Sequence, residues 1–231
     1  MKPIVATALQ PSLLEQEKIA QALLSMDVIR VSEQHPFFYT SGWASPVYVD
    51  VRQLLSHVSL RTELIRIATS LVSRLMQTQH IDGIVGTEGS GVVFAAWLAD
   101  RLQLPMLYLR RRPIGWGHTA HIEGELTPKA KLLLVDDVTT DGRSKIDACL
   151  TLQKLGAQSC DALVWVNFDI YPQTQQLLQV HNIALHSLIT WPVLCKALFN
   201  KNQLTAQQRL AIDGFNNSPV HWSLKHGGIG A

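Results

Sequence analysis

In PSLLEQEKIAQALLSM, near the start of the chain, Leu13, Leu14, Ile19, Leu23 and Leu24 recur at close to helical spacing, and Ser12 and Glu15 stand in capping-box register. This predicts an N-terminal helix. In SPVYVDVR the rhythm is two: Val47, Val49 and Val51 alternate with Tyr48, Asp50 and Arg52, as in a strand with one buried face. Such alternation suits an antiparallel edge better than a central parallel strand. From about Leu60, amphipathic helical stretches alternate with the short apolar runs DGIVG, MLYLR, KLLLV, ALVWV and ALHSLIT. That alternation predicts βαβ units and a mostly parallel sheet, with ligands at the carboxyl ends of its strands. A last helix over TAQQRLAIDGF precedes a polar, Gly-ending tail expected to be mobile. No internal repeat, low-complexity tract or linker interrupts the series.

Composition narrows the class. A chain of 231 residues, 47% hydrophobic, buries one sizeable core or a core with a small appended subdomain. The net charge of +2 is too weak a field to suggest nucleic-acid or membrane binding, which leaves a small-molecule partner. Cys149, Cys160 and Cys195 are far apart and lack C-x-x-C spacing, so they read as reduced thiols of a cytoplasmic protein rather than a disulfide framework or zinc site. Glu15, Glu17 and Lys18 interrupt the first apolar stretch, and no run of ~18 apolar residues suggests a membrane span.

The chemistry concentrates in KLLLVDDVTTDGRSK, Lys131 to Lys145. The pattern predicts a buried strand from Leu132 to Val135, a tight turn, and a helix starting near Gly142. Asp136 and Asp137 then fall at the carboxyl end of a strand. Backbone N–H groups from Thr139 to Ser144 can face an anion at the helix N-terminus, and phosphate is the natural guest. Two adjacent carboxylates repel unless hydroxyls or a hard cation lie between them, so sugar hydroxyls and Mg²⁺ are plausible partners. The bland alternative is a pair of helix-capping acids before an ordinary turn.

This stretch resembles the phosphoribosyl-diphosphate (PRPP) motif of the type I phosphoribosyltransferases: an apolar run, D-D, two residues, then T-x-G-x-S/T. Further stretches resemble the orotate phosphoribosyltransferase family within that group: FFYTSGWASPVYVDVR, GTEGSGVVFAAWLAD, YLRRRPIGWGHTAHIEGEL and LITWPVL. The resemblance implies an α/β type I phosphoribosyltransferase fold, a mostly parallel central sheet flanked by helices with a small N-terminal hood. It implies residues 1–58 as N-terminal helix and hood, 59–200 as PRPP-binding core, and 201–231 as C-terminal helix and tail. Carried over by position, Asp136 and Asp137 would engage the ribose. Val138, Thr139, Thr140, Asp141, Gly142, Arg143 and Ser144 would hold the 5'-phosphate. Glu88, Gly89, Ser90 and Gly91 would form the diphosphate loop, a stretch that alone reads equally well as a turn before a helix. Arg110, Arg111 and Arg112, alone a solvated basic cluster, would begin a flexible loop that closes over the partner subunit's site and stabilises the leaving diphosphate. Thr40, Ser41, Gly42, Tyr48 and Thr140 would meet orotate. Phe37, Phe38, Trp43 and Tyr48 suit either an aromatic wall for a pyrimidine or a core. His118 and His121 have metal-ligand spacing but no third ligand.

The implied activity is transfer of the 5-phosphoribosyl group from PRPP to orotate, giving orotidine 5'-phosphate and diphosphate in pyrimidine synthesis. The enzyme would be a Mg²⁺-dependent homodimer, the metal carried by PRPP and met by Asp136 or Asp137. The chain departs from the family pattern in several places. Thr40 and Ser90 stand where Lys is usual, and Ile114 replaces a loop Lys, leaving Arg112 as candidate substitute. Phe168, Asp169 and Ile170 replace L-D-R, losing the Arg that positions orotate's carboxylate. Two alternatives follow: a phosphoribosyltransferase for another base, and a PRPP-binding regulator with reduced catalysis.

Overall fold

A computed structural model describes residues 8–112 and 121–230. The first helix, α1 (Leu13–Ser25), begins where the capping box predicts: the Ser12 hydroxyl accepts from the Glu15 amide, and the Glu15 carboxylate accepts from the Ser12 amide at 3.0 Å. Its buried face is Gln16, Ile19, Ala20 and Leu23, whereas Leu13 and Leu14 are 74% and 64% exposed. The apolar pair at the start therefore lies off the core-facing stripe.

Next come the short strands β1 (Ile29–Val31), β2 (Phe37–Phe38), β3 (Ala44–Ser45) and β4 (Val47–Val49). β4 pairs antiparallel with β1, and β2 with β3, in two small sheets apart from the main one. The alternation in SPVYVDVR holds, with Val47, Val49 and Val51 buried. A 3₁₀ turn, Val51–Ser56, leads to α2 (Val58–Met76).

The core runs β5 (Gly83–Thr87), α3 (Ser90–Leu102), β6 (Met106–Leu109), β7 (Ile122–Glu123), β8 (Lys131–Thr139), α4 (Arg143–Lys154), β9 (Ser159–Asn167), α5 (Thr174–Val180) and β10 (Leu185–Thr190); the apolar runs predict all of these strands except β7, and β6, β7 and β8 follow one another with no helix among the described residues between them. These strands form one six-stranded sheet in the order β10-β9-β8-β5-β6-β7, parallel except for the β6–β7 pair. Continuous apolar runs suit strands covered on both faces, and all six residues of β10 are buried. The sheet is the mostly parallel α/β arrangement that the alternation predicts. Strand order reverses between β5 and β8, and the crevice beyond such a reversal is where open α/β sheets bind ligands.

β8 is longer than predicted. It continues through Asp136 and Asp137 to Thr139, so both acids lie within the strand and the following turn is short. The two flanks of β8 explain this. Pairing with β5 stops at Gly86–Val135, whereas pairing with β9 runs on to Thr139–Asn167. One edge of β8 stays anchored while the other opens at the first aspartate.

The C-terminal part also differs from expectation. After α6 (Trp191–Asn200) and α7 (Ala206–Asn217), the tail forms α8 (Pro219–Lys225) and docks on the hood. The Ala44 amide donates to Ser223 Oγ at 3.0 Å, and the Ile229 amide donates to the Gly42 carbonyl at 3.0 Å. Trp222, Phe215, Phe168 and Trp191 continue the core into this segment, which its polar composition concealed. Cys149, Cys160 and Cys195 are buried and unbridged. Among the described residues, no helix is long and apolar enough to cross a membrane.

Candidate active site

A cleft of about 610 Å³ opens between the hood and the carboxyl ends of β5 and β8. It gathers residues from every stretch that carries candidate chemistry. Thr40, Ser41 and Tyr48 line its hood side; Glu88 and Ser90 come from the loop after β5; Arg110 and Arg111 follow β6; Asp136, Asp137, Val138, Thr139, Thr140 and Ser144 complete it.

Asp136 and Asp137 are held differently. Asp136 Oδ1 accepts from the Asp137 amide at 3.0 Å, and its Oδ2 accepts from Lys145 Nζ. Asp137 Oδ1 accepts from the Val138 amide at 2.7 Å, and its Oδ2 from Ser90 Oγ at 2.6 Å. Burial pushes the Asp136 carboxyl up, but the Lys145 ammonium and its hydrogen bond more than offset that and hold it below the usual carboxylate range. Burial and the neighbouring Asp136 charge push Asp137 up, the Ser90 hydroxyl opposing them only in part. The site thus holds one carboxylate with its own counter-ion and one without.

The turn after β8 is braced from behind. Gly142 caps α4 at φ +79°, a left-handed conformation that glycine adopts without strain. Asp141 is buried, its carboxylate accepting from Trp43 Nε1 at 2.7 Å and its carbonyl from Thr174 Oγ1 at 3.1 Å. Its side chain ties the turn to the hood instead of lining the cleft. Trp43 is likewise core, packed on Tyr171 with ring centroids 4.6 Å apart. Across the cleft mouth, Ser41 Oγ and Thr140 Oγ1 are 3.3 Å apart, joining hood and turn directly.

On the opposite wall, α3 begins immediately after the loop that follows β5. A Cβ on Gly91 would stand 2.3 Å from Thr87 Oγ1 and 2.5 Å from the Val135 carbonyl, so glycine is what lets α3 approach β8. Gly42, Gly89, Gly91, Asp141, Gly142 and Arg143, all named from the sequence, are not among the residues that line the cleft. Arg110 is paired with Glu123 at 2.7 Å and lies over the Tyr108 ring, and the Arg111 amide donates to Glu88 at 2.7 Å. Arg112 is exposed and off the lining. His121 lines the cleft, whereas Ile114 and His118 lie outside the described residues. Ile170 packs against the core. Phe38 and Tyr39 line the hood wall, with Tyr39 stacked on Tyr48 at 5.7 Å, and Phe37 packs behind Tyr48 at 5.7 Å.

Two cations in the cleft escaped sequence reasoning. Lys145 ends the quoted motif, and its place in the first turn of α4 was the available signal. Arg52 belongs to the polar face of the SPVYVDVR alternation; it chelates Asp50 at 2.6 and 2.9 Å and donates to the Tyr48 hydroxyl at 3.0 Å. Among the described residues, no group of three or more His, Cys, Asp or Glu side chains is placed to hold a metal.

No family model matches the chain. A relative named orotate phosphoribosyltransferase, from Jannaschia sp. (strain CCS1), is 37% identical over 199 residues, covering 84% of this chain and 87% of the relative. The crystal structure of orotate phosphoribosyltransferase from Aeropyrum pernix superposes with a TM-score of 0.66 at 27% identity, covering 78% of this chain and 98% of that one. The Leishmania donovani UMP synthase structure shares the fold, with a TM-score of 0.71 at 22% identity; the match covers 87% of this chain but 42% of that longer one.

Proposed function

The chain belongs to the orotate phosphoribosyltransferase family, and from that membership and the cleft's chemistry we propose that it transfers the phosphoribosyl group of PRPP to orotate, giving orotidine 5'-phosphate and diphosphate. The observation that carries the reading is the convergence of the carboxylate pair, the Thr139–Ser144 turn and the Glu88–Ser90 loop on one cleft. A ribose with a phosphate at one end and a diphosphate at the other needs hydroxyl acceptors in the middle and anion sites on both sides.

In this reading the turn after β8 takes the 5'-phosphate, where the amides at the start of α4 favour negative charge. Asp137 accepts ribose hydroxyls. Arg110 and Arg111 stand beside the diphosphate and offset charge as it leaves, an electrostatic contribution fixed in advance of the reaction. As the C1–O bond lengthens, the ribosyl centre gains positive character that the nearby carboxylates stabilise, and the base nitrogen completes the exchange. Tyr48, Tyr39 and Phe38 offer aromatic surface to the base, with the Arg52 guanidinium on the same wall for an acidic substituent.

The donor set suits Mg²⁺ carried largely by substrate: a hard cation of this kind keeps waters and phosphate oxygens and needs one or two protein carboxylates, here Asp137 with Asp136 beside it. When bound, it supplies neutralisation of diphosphate charge. A homodimer belongs to the same proposal and is checked by sedimentation.

The test mixes purified protein with PRPP, Mg²⁺ and a panel of bases, and follows diphosphate release. Orotate is expected to drive release, with uracil, adenine and hypoxanthine near background. Release driven by another base overturns the substrate assignment. PRPP-dependent thermal stabilisation without turnover favours the regulator. In Gly142→Val, a β-branched side chain at positive φ distorts the turn, and the PRPP-dependent rise in melting temperature is expected to vanish.

A further inference from the structure

Lys145 lies in the first turn of α4 with its side chain 6% exposed. Its Nζ donates to Asp136 Oδ2 and, at 3.1 Å, to Ser144 Oγ. Asp137, next in the strand, has a neutral partner in the same position, the Ser90 hydroxyl at 2.6 Å. Each carboxylate therefore gives one oxygen to a backbone amide and the other to a side chain. What differs is that one side chain is a buried cation and the other is not.

That difference decides which carboxylate is free to exchange partners. A sugar hydroxyl can replace the Ser90 hydroxyl at Asp137 with little change in hydrogen bonding, because both donors are neutral. To replace Lys145 at Asp136 it would have to leave a buried ammonium without its counter-ion, a far costlier exchange. The bond to Ser144 adds a second consequence, since the same ammonium links Asp136 to a hydroxyl in the first turn of α4.

We propose that Lys145 is a positioning residue that commits Asp136 to the scaffold and leaves Asp137 as the carboxylate presented to the ribose, so that two adjacent acids carry separate tasks. The proposal rests on the PRPP reading of the cleft. Lys145 acts through Asp136 and does not itself touch substrate.

The test is a double-mutant cycle on the full-length protein with Lys145→Met, Asp136→Asn and their combination, with Lys145→Arg as the conservative variant. Lys145→Met is expected to lower kcat/KM for PRPP about thirtyfold while KM for orotate changes less than about twofold, and Lys145→Arg is expected to recover most of the loss. Adding Lys145→Met to Asp136→Asn is expected to cause no further loss. Additive losses overturn the proposal, because Lys145 would then act on substrate directly. Wild-type kinetics in Lys145→Met overturn it as well. Should Lys145→Met fail to fold, the double variant, which buries neither charge, is compared with Asp136→Asn alone; the proposal requires equality within about threefold. The same cycle read as PRPP-dependent thermal stabilisation needs no base. Failure of the orotate assignment is thereby separated from failure of the Lys145 assignment.

Discussion

Asp137 is a carboxylate held in an unfavourable place. Burial and the Asp136 charge raise its affinity for a proton, so the ionised form works against the fold at neutral pH. Such a group is kept for what it does to a ligand, and removing its charge relieves strain in the empty protein. Asp137→Asn is accordingly expected to lower turnover at least about a hundredfold while leaving the melting temperature unchanged or slightly raised. Steady-state kinetics beside calorimetry check this; a large fall in melting temperature would mark Asp137 as a structural residue. At this scale the sequence pointed to Asp136 and Asp137, because D-D after an apolar run and before T-x-G-x-S is a dense pattern, and both line the cleft. It could not show that Asp141 turns away to Trp43, or that Lys145 turns toward Asp136, since both depend on how the elements pack together.

Among the elements, α3 and β8 set the width of the site. Gly91 sits where the helix start meets the strand, with Thr87 Oγ1 and the Val135 carbonyl inside the radius that a methyl group needs. Gly91→Ala would push the first turn of α3 away from β8 and carry Ser90 off Asp137. Overpacking of this kind costs about 1–3 kcal/mol, so the expected result is a lower melting temperature together with a weaker PRPP-dependent stabilisation. If the variant loses stability but keeps the full PRPP shift, the Ser90 wall is not part of the ligand site. The alternating apolar runs foretold these elements because period and length carry that information locally. The end of β8 was not legible, as it is set by β9 pairing that runs from Val135, where β5 leaves off, on to Thr139.

For the whole molecule, the N-terminal segment is fastened through a buried histidine. His186 Nδ1 accepts from the Leu9 amide at 2.9 Å, so Nε2 carries the proton, and Nε2 has no partner among the described residues. Burial holds the His186 pKa below its ordinary 6.5, with the Asp161 charge opposing in part. Below pH 6.5 the unfolded chain therefore binds a proton that the folded chain resists, and stability falls as pH drops from 6.5 through the lower folded value. Melting temperatures recorded across that window should decline in the wild type and decline less in His186→Phe. Equal slopes would show that other groups govern the acid limb.

The sequence by itself determined the N-terminal helix, the parallel character of the core, the antiparallel strand over Val47–Val49 and the succession of strand, turn and helix around the acids. Each is written in local periodicity, in a strand-turn-helix motif or in a cap such as Ser12 with Glu15. Only the tertiary structure decided that the polar tail packs on the hood, that Trp43 is core and not a cleft wall, and that Lys145 and Arg52 face the cleft. The physical reason is range. Backbone preference and amphipathic period act over a few residues, whereas the partner of a buried charge or an indole N–H is chosen by groups about a hundred positions away, as Trp43 and Asp141 show.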